Sequence, residues 1–230
     1  MKKAFPILAV LTAILLSYAL YLALVWAPTE QTMGNVQRIF YYHVPSAWTA
    51  FILFFINFVA SLVYLIKRRP AADIIALVTA EVGVVFCTVV LITGPIWARP
   101  VWGIWWTWDM RLTSTLVLWL IYVSYLFLRR FSSGGQTPLL AAALAVLGAL
   151  CVPFVYFSIW FFRTQHPQPV MGGGGSIDPR MLHVLLINWL AFSCFAFLVC
   201  WARYRLEKLQ RDVDEAHAME SLLNPRGSVR

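Results

Sequence analysis

Six stretches of this chain are long and apolar enough to cross a bilayer as single helices, and they limit its possible folds more than any motif does. They run roughly from Ala4 to Trp26, Pro45 to Ile66, Ile74 to Trp97, Leu112 to Leu128, Pro138 to Trp160 and Met181 to Trp201. About 20 residues of helix are needed to span about 30 Å of hydrocarbon. Of the 230 residues, 61% are apolar and only 12% charged, whereas a soluble domain keeps roughly a quarter of its residues charged. The expected architecture is an all-α membrane protein of six transmembrane helices. Residues 1–205 form its transmembrane unit and 206–230 a charged tail, with nothing left for a separate soluble domain.

The first apolar run follows Lys2 and Lys3. It exceeds a typical signal-peptide core and has no convincing small-x-small cleavage site after it, so it reads as a retained anchor. With the N-terminus cytoplasmic, 13 of the 18 Lys and Arg residues fall on the cytoplasmic side, including Lys67, Arg68, Arg69, Arg129, Arg130 and Arg203. The opposite side receives Arg38, Arg99, Arg111, Arg163 and Arg180. This asymmetry satisfies the positive-inside rule and puts both termini in the cytoplasm, with short loops outside. The net charge of +8 is then a topology signal that calls for no nucleic acid. Cys87, Cys151, Cys194 and Cys200 lie inside the predicted helices without a C-x-x-C spacing, which argues against a thiol shuttle and against covalently attached haem.

Proline and glycine punctuate the loops. Val44-Pro45 predicts an extended residue and a fresh helix start, Pro153 a kink in the fifth helix, and Gly172 to Gly175 a mobile segment in the third outer loop.

The outer side concentrates the chemistry. Eight tryptophans sit at or beyond the outer helix ends, four of them in "WGIWWTWD", Trp102 to Asp109. A membrane belt would enrich Trp at both surfaces, and therefore explains only part of this one-sided pattern. As a short helix lying on the membrane, residues 102–109 would share Trp102, Trp105, Trp106 and Asp109 on one face. That face would be an aromatic platform with a carboxylate at its end. His43, His166 and His183 lie on or near the same side. Imidazole is a common metal ligand, and iron in a porphyrin takes one above and one below its ring. A flat macrocycle with two propionates needs stacking surface, axial ligands and cations. The tryptophans could supply the first, His43 and His166 the second, and Arg99, Arg111 and Arg163 the third.

"YYHVPSAW", "LITGPIWARPVWGIWWTWDMRLTS" and "SIDPRM", in that order on six helices, resemble the cytochrome c maturation protein C (CcmC) family. "WGIWWTWDMRLTS" looks like the WWD signature of haem-handling membrane proteins. The resemblance implies a multi-pass protein of the bacterial inner membrane that binds haem b non-covalently at its periplasmic face. It implies delivery to the haem chaperone CcmE, with the ABC transporter subunits CcmA and CcmB and the small membrane protein CcmD as partners: a transfer or transport protein rather than a classical enzyme. By motif the haem contacts are Trp102, Gly103, Trp105, Trp106, Trp108 and Asp109. The axial ligands are His43 and His166, the latter in a loop that departs from the family pattern, with His183 a lesser candidate. Gly103 would let backbone and ring approach closely. Asp109 either fixes a loop by hydrogen bonding or helps recruit the partner.

Two other readings stay open. A haem-free scaffold could dock a periplasmic protein through Trp and Arg, which are rich in interface hot spots. A small-solute carrier would need facing polar groups at mid-membrane, and beyond Glu81, Asn57 and Asn188 the chain offers few. Glu81 itself is either a partner contact or a hydrogen-bonded packing residue.

Overall fold

The computed structural model describes residues 4–132, 134–167 and 177–223. Six long helices account for most of them: α1 (Ala4–Tyr21, continued as a π-helical turn Leu22–Trp26), α2 (Phe40–Lys67), α3 (Pro70–Trp102), α4 (Met110–Phe131), α5 (Thr137–Phe161) and α6 (Pro179–Leu223). All six are long and apolar enough to cross a membrane, and the chain is a multi-pass membrane protein. The predicted glycine run lies outside the described residues.

Local chemistry explains the boundaries. Arg68, with φ of 51°, ends α2 in the left-handed conformation, and Pro70 opens α3 with its ring already set for helix. Asp109 caps α4, and its carboxylate accepts the Leu112 amide at 2.9 Å. Asp178 precedes α6, its backbone carbonyl accepting the Leu182 amide at 3.0 Å and its side chain the Arg180 amide at 2.7 Å.

Three expectations from the sequence give way. Helix α2 does not begin afresh at Pro45. A 3₁₀ turn, Asn35–Ile39, leads into helix already at Phe40. Pro45 therefore sits in the second turn and forgoes one backbone bond. Burial of Phe40 and Tyr41 against Leu22, Ala23, Val184 and Leu185 offsets that loss. Helix α3 does not stop at Trp97 but continues through Pro95 and Pro100 to Trp102. In consequence residues 102–109 are not a surface helix: Trp102 ends α3, Gly103 turns the chain, and 104–109 are irregular.

Helix α2 is central and packs on α3, α5 and α6, with α1 held at the periphery by α6 and α4 paired with α5. In the core, Phe54 stacks on Tyr122 with ring centroids 3.9 Å apart. Gly83 makes room for this stack, since a Cβ there would stand 2.7 Å from Phe54 Cε1. Asn57 donates to the Ala76 carbonyl at 2.7 Å and accepts the Tyr122 hydroxyl at 3.3 Å, so its buried amide is satisfied.

The two ends of the bundle differ in character. At the end where α2 finishes and α3 begins, Asp73 meets Arg129 at 2.5 Å and Arg211 at 2.8 Å. Nearby, Glu81 accepts from Nε and Nη2 of Arg203 at 2.8 and 2.9 Å. Glu81 is thus ion-paired within the chain, in line with a packing role. The opposite end, where α2 begins and α3 finishes, carries His43, His166, His183 and the tryptophan loop.

Candidate functional site

His43 lies in the first turns of α2, 8% exposed. Its Nδ1 is 2.9 Å from the Thr93 hydroxyl oxygen on α3, and its ring meets the edge of Trp97 at 5.8 Å. His166 approaches from the loop that follows α5. The two imidazole centroids are 6.5 Å apart, tilted by 33°. The His166 Nδ1 is 2.9 Å from the Pro167 carbonyl, an acceptor only, so Nδ1 carries the proton there. Burial and then the positive charge of Arg111 push the His166 imidazole down to about 4, keeping it neutral across the physiological range.

Asp109 holds this loop in place. Besides capping α4, its carboxylate accepts the Thr164 hydroxyl at 2.7 Å, the Gln165 amide at 3.2 Å and the Thr107 hydroxyl at 3.2 Å. Thr164 Oγ1 in turn accepts the His166 amide at 3.1 Å. Burial works to raise the Asp109 pKa. The Leu112 amide, Thr164, Gln165 and Thr107 outweigh it, so the carboxyl lies below its usual range. Of the two roles open to Asp109, loop fixation is the one its bonds describe.

The tryptophans of residues 102–108 do not share a helical face, since the segment beyond Trp102 is irregular. Trp105 and Trp108 are 59% and 75% exposed, which leaves broad aromatic surface free to stack. Trp106 meets Trp108 edge-on at 5.7 Å. Gly103 turns with φ of 78°, a left-handed conformation that favours glycine, and a Cβ there would meet no other atom of the chain within 4 Å. Arg99 donates to the Gly103 carbonyl and closes the same turn. Arg111, at the start of α4, makes one long contact of 3.5 Å to the Tyr156 carbonyl. Arg163 is exposed on the His166 loop. His183 packs edge-on against Trp26 at 5.9 Å, within the α1–α6 contact. A separate apolar groove of about 500 Å³, lined by Ile52, Ile56, Val78, Phe197 and Trp201 among others, includes neither histidine of the pair.

Sequence reasoning passed over Thr93, Gly94 and Thr164. The first two stand inside the quoted "LITGPIW", where a threonine in an apolar run was the available signal. Thr164 had no signal, because its partner is 55 residues away.

Two neighbouring imidazoles at this spacing suit a metal that brings its own equatorial donors. A bare ion such as zinc wants about four protein ligands, and among the described residues no group of three or more His, Cys, Asp or Glu converges. With metal–nitrogen bonds of about 2 Å, two imidazole centroids stand roughly 6 Å apart across one ion, close to the spacing of His43 and His166.

The heme exporter protein C family model matches residues 1–219. The heme exporter protein C of Bradyrhizobium diazoefficiens is 36% identical over 222 residues, covering 95% of this chain and 84% of that protein. Its counterpart in Escherichia coli K12 is 32% identical over 206 residues, 89% and 82% of the two chains. A ccmC-like mitochondrial protein of Marchantia polymorpha, named for cytochrome c biosynthesis, is 32% identical over 185 residues, 80% and 78% of the two chains.

Proposed function

The chain belongs to the heme exporter protein C family, and from that premise we propose that it binds haem at one face of the membrane and hands it on for c-type cytochrome maturation. The observation that carries this reading is the neighbouring pair His43 and His166, 6.5 Å apart. Haem is the cargo, and its iron takes one imidazole on each side of the ring. Trp102, Trp105, Trp106 and Trp108 supply the stacking surface, with Asp109 and Gly103 shaping the loop that carries them. Arg111, without a carboxylate partner among the described residues, and Arg99, after leaving its turn, are the cations for the propionates. The haem of this reading is b-type and non-covalent; the four cysteines are free and lie within helices α3, α5 and α6.

The charge asymmetry supports cytoplasmic termini with the tryptophan loop on the opposite side, and with membership of the family the reading is a bacterial inner-membrane protein whose active face is periplasmic. Residues 1–205 are the haem-handling unit and 206–230 a cytoplasmic tail. The receiver is the haem chaperone CcmE, with CcmA, CcmB and CcmD completing the transport complex.

Handing on requires one ligand to leave. His43 stands on a transmembrane helix, whereas His166 stands on a loop tied through Thr164, so His166 is the exchangeable ligand. The test is transfer itself. Haem-loaded protein in lipid nanodiscs is mixed with the soluble apo-domain of CcmE, and haem is followed by absorbance in both separated fractions. The reading predicts movement to CcmE that is faster in His166→Ala than in wild type. Haem that stays with the membrane protein in every form would reject the delivery role.

A further inference from the structure

We propose that Thr93, Gly94 and Trp97, within one turn of α3, form a seat that fixes the His43 imidazole in a single tautomer, with Nε2 bare and presented to the haem iron. The proposal deepens the haem reading above and rests on it. Each member of the seat constrains a different part of the ring.

Thr93 sets the proton. Its hydroxyl has one hydrogen, and that hydrogen is given to the Val89 carbonyl one turn back at 2.7 Å, a common arrangement for threonine inside a helix. Only lone pairs remain on Oγ1 for His43 Nδ1 at 2.9 Å, so Nδ1 must be the donor. A neutral imidazole carries one N–H, and Nε2 is therefore the unprotonated nitrogen able to bind metal.

Gly94 provides the room. A Cβ at this position would already stand 3.4 Å from His43 Cε1, the carbon between the two ring nitrogens. A side chain larger than a methyl group adds further atoms beside this edge of the imidazole. Trp97 limits rotation, with its ring plane at 72° to the imidazole and the centroids 5.8 Å apart.

Among the described residues His166 has no comparable seat. Its Nδ1 bond runs to the carbonyl of its own neighbour, Pro167, so the bond moves with the loop and does not anchor it. The two ligands are thus built unequally, and Thr93 is the positioning residue that makes His43 the permanent one. Partners to the outer nitrogen of a ligating histidine are typically worth 10–100-fold in metal affinity.

The experiment compares wild type, Thr93→Val, Thr93→Ser and Gly94→Val as full-length proteins in detergent. With the haem-free proteins labelled at histidine nitrogen, ¹⁵N NMR reads the His43 tautomer directly. Titration with hemin then gives affinity and the ferric low-spin EPR signal. The proposal predicts one tautomer in wild type and Thr93→Ser, and a mixture in Thr93→Val together with roughly tenfold weaker hemin binding and shifted EPR g-values. Gly94→Val keeps the tautomer and loses affinity. A Thr93→Val protein with a single Nε2-bare tautomer and wild-type hemin affinity would overturn the proposal. If wild type takes up no hemin, the haem reading fails on its own, and the NMR arm still decides whether Thr93 sets the tautomer.

Discussion

The hydroxyl of Thr164 donates to the carboxylate of Asp109 across 2.7 Å, joining two loops that lie 55 residues apart in the chain. Because Asp109 also caps α4, one side chain couples the tryptophan loop, the start of α4 and the loop that carries His166. Its two duties can be separated by mutation. Asp109→Ala removes both and costs about 1 kcal/mol from the cap alone. Thr164→Val leaves the cap intact and releases only the loop. The expected result is near-wild-type thermal stability for Thr164→Val with weaker hemin binding, and losses in both for Asp109→Ala. Equal hemin affinity in wild type and Thr164→Val would remove the coupling.

The lowered pKa of His166 gives a pH window. Its folded value of about 4 lies below the ordinary 6.5. Between those values the unfolded chain binds the extra proton and the folded chain does not. The neutral form's contribution to stability is therefore complete above about pH 6.5 and declines as pH falls toward about 4. A ¹⁵N or ¹H titration of the haem-free protein should show His166 unprotonated at pH 5. Arg111→Gln, which removes the neighbouring cation, should move the midpoint upward. A His166 midpoint near 6.5 in wild type would mean the imidazole is solvated and not held in the site.

At the other end of the bundle the charges serve the fold. The Asp73 side chain is 2% exposed and holds Arg129 and Arg211 together. Asp73→Ala strands the buried Arg129 guanidinium, whereas Arg211 keeps Glu207 at 2.9 Å, and breaking a buried pair in this way costs roughly 3–5 kcal/mol. Thermal unfolding in detergent should show that loss, while the haem spectrum of the protein that remains folded keeps its ligation. Glu81→Gln should cost much less, since Glu81 is 30% exposed. A changed haem spectrum in Asp73→Ala would instead tie this end of the bundle to the site.

Much of this was legible in the sequence, and the misses have physical causes. Apolar length alone located six helices, because lipid leaves few other ways to satisfy a backbone. Their ends were harder. Pro45 looked like a beginning because proline favours first turns, yet packing of Phe40 and Tyr41 sustains helix ahead of it. The spacing of Trp102, Trp105, Trp106 and Asp109 fitted a helical face, but α3 runs on to Trp102 and Gly103 breaks the path. The histidines could be nominated by type and side. Their apposition, and the threonines that orient them, depend on contacts between distant segments that no local pattern encodes.

The most direct test of the central claim is the visible absorption spectrum of the purified protein with hemin, in wild type, His43→Ala and His166→Ala forms. The account predicts a low-spin bis-imidazole spectrum in wild type, its loss in His43→Ala, and partial retention of haem in His166→Ala. A Soret band indifferent to both substitutions, or none at all in wild type, would contradict it and return the tryptophan loop to protein docking.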